Sequence, residues 1–446
     1  MSEQQYSQSP PPAQRALEPR PSARSAATRV IVTALLVVLA FGSGWFGNAF
    51  VNRTNQIPAN DKYLQAVVQA YNAISDGYVD TSAIDHRKLA YAAIAAMVNS
   101  LGDTGHSRFE TPDEVRQENN SLRNAPTVGI GVFLSGGGQQ PLRIDEVIPG
   151  SAADGHLQPG DVIQAVDGRD ITGMTIDQVR PLILGAEGTV VTLTIQRYGT
   201  ATPLNVVLTR KAFTVPLVST YVIPGVNLAF IQLTQFAENP ADATDSTDAM
   251  LRKVLKQPDV QHANGIILDL RENPGGYLDQ AMSVASEFVS AGSGHNVYIE
   301  RTRTSRTPKP VLSGGLATNV PMVILVNGDT ASAAEIVTAA VAYNRPSVHV
   351  IGEHTFGTDT ILTPVPLADG SVLLLGTFGW LTPGGQNIRS TGIVPDQVVP
   401  LPTGVTPINP ILANEDHFTG DQIRVGADPQ LQQAIKDLAS ASVTQP

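Results

Sequence analysis

Two short apolar runs constrain this chain most. Gly265-Ile-Ile-Leu-Asp-Leu270 and Val323-Ile-Leu-Val326 are almost free of polar residues, and each stops at a turn signal. The first ends in Arg271-Glu-Asn-Pro-Gly-Gly276 and the second in Asn327-Gly-Asp329. Runs this short and this apolar read as fully buried strands. Helical patterns follow over 278–289 and 333–343, and Ala249–Leu255 is also helical. Further strands are expected at Asn227–Phe236, 322–326 and 347–351, with a series of short ones from 362 to 380. Strands alternating with helices specify a mostly parallel α/β core, over 213–405, followed by a C-terminal extension at 406–446. Ligands of such sheets sit beyond the carboxyl ends of the strands, so Asn273–Gly276 and Asp329–Ser332 can converge on one site.

The second turn carries the chemistry. Thr330-Ala-Ser-Ala-Ala334 joins a strand to an alanine-rich helix opening at Glu335. A serine there exposes its hydroxyl beside the N–H groups and the positive dipole end of a helix, which is where acyl-transfer enzymes put their nucleophile. An N-cap serine in a small-residue turn is the plainer reading of the stretch taken alone. Gly275 and Gly276 let backbone N–H groups approach a ligand closely, as an oxyanion hole requires, although Pro-Gly-Gly also makes an ordinary strand–helix turn. Glu335 reads as a first-turn acidic residue that favours the helix dipole.

Upstream, 123–212 alternates short strands with glycine turns. Val128–Phe133, Leu142–Ile148 and Val190–Gln196 are strands, Pro149–Ala153 opens a short helix, Ala165-Val-Asp-Gly168 is a tight hairpin turn, and Met174–Leu184 is a helix. This order, with Pro149-Gly-Ser-Ala-Ala153, Leu157-Gln-Pro-Gly-Asp-Val-Ile163 and Val166-Asp-Gly168, resembles a PDZ domain. PDZ domains add an extended peptide to a sheet edge and hold its terminal carboxylate on backbone N–H groups. The resemblance makes Val128-Gly129-Ile130-Gly131 the carboxylate loop and the helix bearing Ile176 and Val179 the groove wall. A domain that only packs is the alternative.

Residues 58–118 form a helical cap. Leu64, Val67, Val68, Tyr71, Ile74 and Tyr78 fall at helical spacing, a second helix runs from about His86 to Leu101, and the turn Leu101-Gly-Asp-Thr-Gly-His106 closes it. His106 could be a base delivered by a loop, or a solvated capping residue. Before the cap, Val30–Val51 contains no charged residue and is long enough to span a bilayer. It predicts a transmembrane anchor over 29–52 after a disordered tail at 1–28. The arginines preceding it put the N-terminus in the cytoplasm and the bulk of the protein outside; a cleaved secretory signal is the competing reading. The formal net charge is −11, and since residues 1–29 carry a local +2, the remainder is −13, which argues against nucleic acid as a partner. The chain has no cysteine, so disulfides and thiolate chemistry are excluded. The histidines show no paired ligand spacing, so no metal or other cofactor is expected.

Taken together, Ser100-Leu-Gly-Asp103, Asp269-Leu-Arg-Glu-Asn-Pro-Gly-Gly276, Asn327-Gly-Asp-Thr-Ala-Ser-Ala-Ala-Glu-Ile336, Gly352-Glu-His-Thr-Phe-Gly357 and Gly392-Ile-Val-Pro-Asp396 resemble the carboxyl-terminal processing (tail-specific) proteases, the S41-type serine peptidases. The resemblance covers about 58–400. It implies a ClpP/crotonase-like core, a nucleophile at Ser332, and oxyanion donors at Gly275, Gly276 and Ala333. It also implies protein or peptide tails as substrates, and leaves self-association open. One departure is plain. The family's lysine base falls at Thr358 and its glutamine at Leu362, and Thr358 cannot take a proton from serine. The nearest lysine in sequence, Lys309, lies in a Pro-flanked loop. A related branch resembling the tricorn-type core proteases uses a histidine in a Leu-Gly-x-x-His pattern, similar to Leu101–His106, which makes His106 the candidate base. That branch's orienting glutamate falls near Arg389, and Asp103 could orient the ring instead. His354 is the other candidate base. A PDZ-bearing protein that binds tails without cutting them is the alternative function.

Overall fold

The computed structural model describes residues 61–441, apart from 104–105, 139, 403–404, 406 and 416. The expected tail, 1–28, and the expected span, 29–52, lie outside the described residues. Among those described, no helix is long and apolar enough to cross a membrane. The chain forms two units, Met1–Leu89 and Ala90–Pro446. In the first, helix α1 (Lys62–Gly77) starts where Asp61 accepts the N–H groups of Tyr63 and Leu64, as an N-cap carboxylate does. No residue of α1 is buried.

Helix α2 (His86–Asn99) runs from the first unit into the second. The second unit continues with a strand absent from the sequence reading, β1 (Arg108–Glu110), and helix α3 (Pro112–Leu122). Thr111 and Glu114 close a capping box at the start of α3, with proline in its first turn.

The PDZ-like domain is a sheet ordered β2 (Val132–Gly137), β3 (Gln140–Val147), β4 (Val162–Val166), β5 (Val190–Gln196) and β6 (Leu204–Thr209). Helix α4 (Ile176–Ile183) packs on it. The single strand expected at Val128–Phe133 is two. Thr127–Gly129 pairs with Lys211–Phe213, whereas β2 pairs with β3. The break is Gly131, whose φ of +78° takes the chain out of the extended region. The helix expected after Pro149 is a series of turns instead, with Ala153 N–H donating to Ile130 O.

The α/β core is a sheet ordered β7 (Val218–Ile223), β8 (Leu228–Leu233), β9 (Gly265–Asp269), β12 (Met322–Val326), β13 (His349–Gly352) and β16 (Gln397–Val398). The β7–β8 pair is antiparallel and the other pairings are parallel, as expected for a mostly parallel sheet. Alternation within each strand explains the apolar runs. Ile266, Leu268, Ile324 and Val326 pack on one side with helices α5 (Thr247–Leu255), α6 (Leu278–Phe288) and α7 (Ala333–Asn344). Ile267, Val323 and Leu325 face the other side, covered by Leu431, Ala434, Ile435 and Leu438 of α8 (Pro429–Ala441). The C-terminal extension therefore supplies the second cover of the sheet. Without it these strands would lose roughly 1.5–3 kcal/mol per large side chain re-exposed.

A second sheet completes the core. The strands expected from 362 to 380 form one hairpin, β14 (Thr360–Pro366) and β15 (Val372–Leu381). Strand β15 also pairs with β1 and with β10 (Asn296–Arg301), which pairs in turn with β11 (Arg306–Pro310). Strand β1 thereby carries the turn that bears His106 to the edge of the core.

Candidate active site

Three loops at the carboxyl ends of β9, β12 and β13 are joined by hydrogen bonds. Thr330, fully buried, donates its hydroxyl to Leu270 O at 2.8 Å and accepts Asn327 N–H at 3.0 Å. Its own carbonyl accepts Phe356 N–H at 3.0 Å. Asn273, also fully buried, receives Ala331 N–H on its carbonyl at 3.0 Å and donates its amide to Leu233 O at 2.7 Å. These polar residues carry no catalytic signature in sequence. They matter because they satisfy buried backbone groups where three loops meet.

Ser332 is the N-cap of α7 and has φ +53°, ψ −117°, a conformation costing roughly 1–3 kcal/mol for a residue with a Cβ. It is half-buried, shares a capping box with Glu335, and its hydroxyl donates to no other described group. Its N–H is held twice, by Glu335 Oε2 and by Thr358 Oγ1, each at 2.9 Å. Glu335 is more than a first-turn dipole residue. It is completely buried and also accepts from Thr355 Oγ1 (2.5 Å), Gly357 N (2.7 Å), Thr358 N (2.9 Å) and Thr358 Oγ1 (2.6 Å). Thr358, at the position of the family's lysine, is therefore part of the cradle that fixes the serine peptide. Leu362 lies in β14, opposite Gly376.

The Pro-Gly-Gly loop lies against the serine. A Cβ added to Gly275, at φ +102°, would come within 2.8 Å of Ser332 Cβ and 3.0 Å of Ala333 N, so only glycine fits there. Gly275 N–H is already donated to Asn273 Oδ1 at 2.9 Å. Gly276 forms a bridge to Phe236 through the flanking Gly275 O and Tyr277 N–H. That leaves Gly276 N–H, like Ala333 N–H at the first position of α7, without an acceptor among the described residues.

His106 is half-buried, and its Nδ1 lies 2.6 Å from Thr360 Oγ1, two residues from Thr358. Burial first, and then the Arg108 cation, hold its pKa below the ordinary value, against weaker opposing effects of Asp103 and Asp359. Asp103 uses a carboxylate oxygen to accept Ser107 N–H at 2.9 Å. Arg389, where the tricorn-type branch has its glutamate, donates to Gly102 O at 2.8 Å and so pins the same turn. His354 is exposed, with Nδ1 3.4 Å from Thr391 O. Lys309 pairs with Glu300 at 3.1 Å.

In the PDZ-like domain, Val128 and Gly129 belong to the ribbon with Lys211–Phe213. Ile130 is buried, and Gly131 O accepts from Ile148 N and Ser151 Oγ. Ile176 packs at the edge of the domain core, and Val179 is fully buried within it. A cleft of about 1770 Å³ lies between this domain and the core, bordered by Leu134, Arg143, Gln235, Arg271, Glu272 and Pro274. Among the described residues no cluster of His, Cys, Asp or Glu could hold a metal ion.

The sequence profile described as peptidase family S41 matches residues 227–399, and that of the PDZ domain matches 121–196. Carboxy-terminal processing protease CtpA of Bacillus subtilis (strain 168) is 31% identical over 379 residues, covering 84% of this chain and 76% of that protein. The carboxy-terminal-processing protease of Bartonella bacilliformis is 32% identical over 325 residues, covering 71% of each. A crystal structure described as an S41 protease from Bacteroides fragilis NCTC 9343 superposes with a TM-score of 0.54 at 19% identity, over 84% of this chain and 97% of that one, and supports the fold. With the serine loop, the glycine loop and the PDZ domain in this arrangement, the chain belongs to peptidase family S41, as a serine-type peptidase of the carboxy-terminal processing group.

Proposed function

We propose that the protein hydrolyses peptide bonds of protein substrates through an acyl-enzyme on Ser332, after the PDZ-like domain has taken hold of the substrate's C-terminal tail. Ser332 Oγ attacks the scissile carbonyl while His106 accepts its proton; the same histidine then protonates the leaving amine. The N–H groups of Gly276 and Ala333 receive the developing oxyanion. Gly275 supplies close approach rather than a donor, because its N–H is engaged by Asn273. In the PDZ-like domain, the Val128–Gly131 segment and the α4 face bearing Ile176 form the tail-binding side, whereas Val179, expected in the groove wall, lies in the domain core. The uncharged stretch Val30–Val51 anchors the protein in a membrane, N-terminus in the cytoplasm and the peptidase outside.

The observation that carries this reading is a strained serine, whose hydroxyl donates to no other described group, together with a histidine held by Thr360, two residues along the chain from Thr358, which itself holds the serine's N–H. Two residues of extended chain span at most about 7 Å. The comparisons lend no support to a tail-binding protein that does not cut. The test uses the full-length protein in detergent on an unfolded protein substrate. Ser332→Ala and His106→Ala are each expected to abolish cleavage. Undiminished cleavage by Ser332→Ala sinks the nucleophile, and undiminished cleavage by His106→Ala sinks only the base.

A further inference from the structure

We propose that Thr360 is the positioning residue of the base: its hydroxyl accepts the Nδ1–H of His106, so that Nε2 carries the lone pair that takes the Ser332 proton. This rests on His106 being the base. A histidine acts as a base only through an unprotonated nitrogen, and the partner of one ring nitrogen decides which of the two that is. Nδ1 is committed to Thr360 Oγ1 at 2.6 Å. Were the threonine the donor, Nε2 would bear the proton and the ring could not accept one there.

The site is built to hold Thr360 where it is. A Cβ on Gly376 would come within 2.7 Å of Thr360 Cβ and 3.0 Å of its Oγ1, so the absence of a side chain on β15 makes the niche that Thr360 occupies. Gly376 N–H in turn donates to Ser107 Oγ at 2.9 Å, and Ser107 is the buried neighbour of His106. The same backbone position thus seats the threonine and anchors the histidine turn. Between Thr358 and Thr360, Asp359 is buried and takes hydrogen bonds from Arg301 (3.1 Å) and Asn387 (2.9 Å), while its carbonyl accepts Trp380 N–H at 2.9 Å. Thr358-Asp359-Thr360 is therefore a strut fixed at each residue, with the serine peptide on its first member and the histidine on its last. Where serine peptidases with a histidine base use a carboxylate to orient the ring, a hydroxyl fixes the tautomer without adding a negative charge. The charges around the ring are Arg108, itself paired with Glu110 and Glu118, and the carboxylates Asp103 and Asp359.

Two measurements on the full-length protein in detergent test this. In the first, kcat and KM are followed with a peptide ending in an apolar tail, for the wild type and for Thr360→Val, Thr360→Ser and His106→Ala. Thr360→Val is expected to lower kcat about 10- to 100-fold with KM within about twofold, and Thr360→Ser to recover most of it. In the second, selective ¹⁵N-histidine labelling reads the His106 tautomer, expected as Nδ1–H in the wild type and as a mixture in Thr360→Val. Unchanged kcat in Thr360→Val, with activity lost in His106→Ala, overturns the role of Thr360 and leaves the base standing. Full activity in His106→Ala overturns both. An Nε2–H tautomer in the wild type overturns the role of Thr360 even if Thr360→Val does not fold.

Discussion

Replacing Glu335 with glutamine tests the cradle of the serine most directly. The carboxylate takes five donors, two on Oε1 (Thr355 Oγ1 and Gly357 N) and three on Oε2 (Ser332 N, Thr358 N and Thr358 Oγ1). Glutamine keeps one acceptor oxygen and brings an NH₂ in place of the other. The least damaging choice puts the NH₂ on the Oε1 side. The Thr355 hydroxyl can then rotate to accept, but Gly357 N–H, buried, faces another N–H. Losing a hydrogen bond to a charged group costs about 1.5–3 kcal/mol, and the remaining bonds weaken from charge-assisted to neutral. Relief from burying a charge offsets part of this, leaving about 2–4 kcal/mol. For a domain of this size that is a fall in Tm of roughly 4–16 °C. The chemistry should suffer further. The strained φ of Ser332 is held through the N–H that Glu335 and Thr358 share, and a displacement of about 1 Å of a reacting group can cost ~10²-fold in rate. The assay is thermal unfolding by circular dichroism together with steady-state cleavage of a fluorogenic peptide. A Glu335→Gln protein with Tm within about 1 °C of wild type and kcat within about twofold would refute the argument.

Three further predictions follow from the same geometry. Gly275→Ala brings a Cβ to 2.8 Å from Ser332 Cβ at φ +102°; we expect a kcat loss of about 10²-fold with little change in KM, measured on the same peptide. Because burial and Arg108 hold the His106 pKa down, the neutral base persists as pH falls, so the acid limb of kcat/KM should lie below about pH 6.5. Arg108→Gln should move that limb up and Asp103→Asn should move it down, read from pH–rate profiles. Arg271→Met strips the shared cation from Asp269 and Asp428, all three buried, and should destabilise the core by about 3–5 kcal/mol in denaturant titration.

Arg271 also shows how the C-terminal extension reaches the loop that lies against Ser332. Its guanidinium binds Asp269 in β9, and Asp428, Gln430 and Ile408 O in the extension, four residues before Gly275. The extension thus clamps the start of the Pro-Gly-Gly loop besides covering the sheet.

The sequence alone determined the parallel core, because strands buried on both faces must be apolar at nearly every position, and Gly265–Leu270, where Asp269 is the one polar residue, and Val323–Val326 are. It also put Asn273–Gly276 and Asp329–Ser332 at the carboxyl ends of strands, where the two loops meet, and it identified the family by ordered motifs. It did not show that Val128–Phe133 breaks at Gly131, nor that 362–380 is one long hairpin, because register depends on which strand lies alongside. Thr358 looked in sequence like a missing base, and Glu335 like a helix-dipole residue. Only tertiary structure made them partners: they lie twenty-three positions apart and meet because β13 delivers its loop beside the start of α7. His106 and Thr360 are 254 positions apart, brought together by the pairing of β1 with β15. Short-range pattern encodes burial and turns. Which side chain completes another's hydrogen bond across such distances is decided by packing.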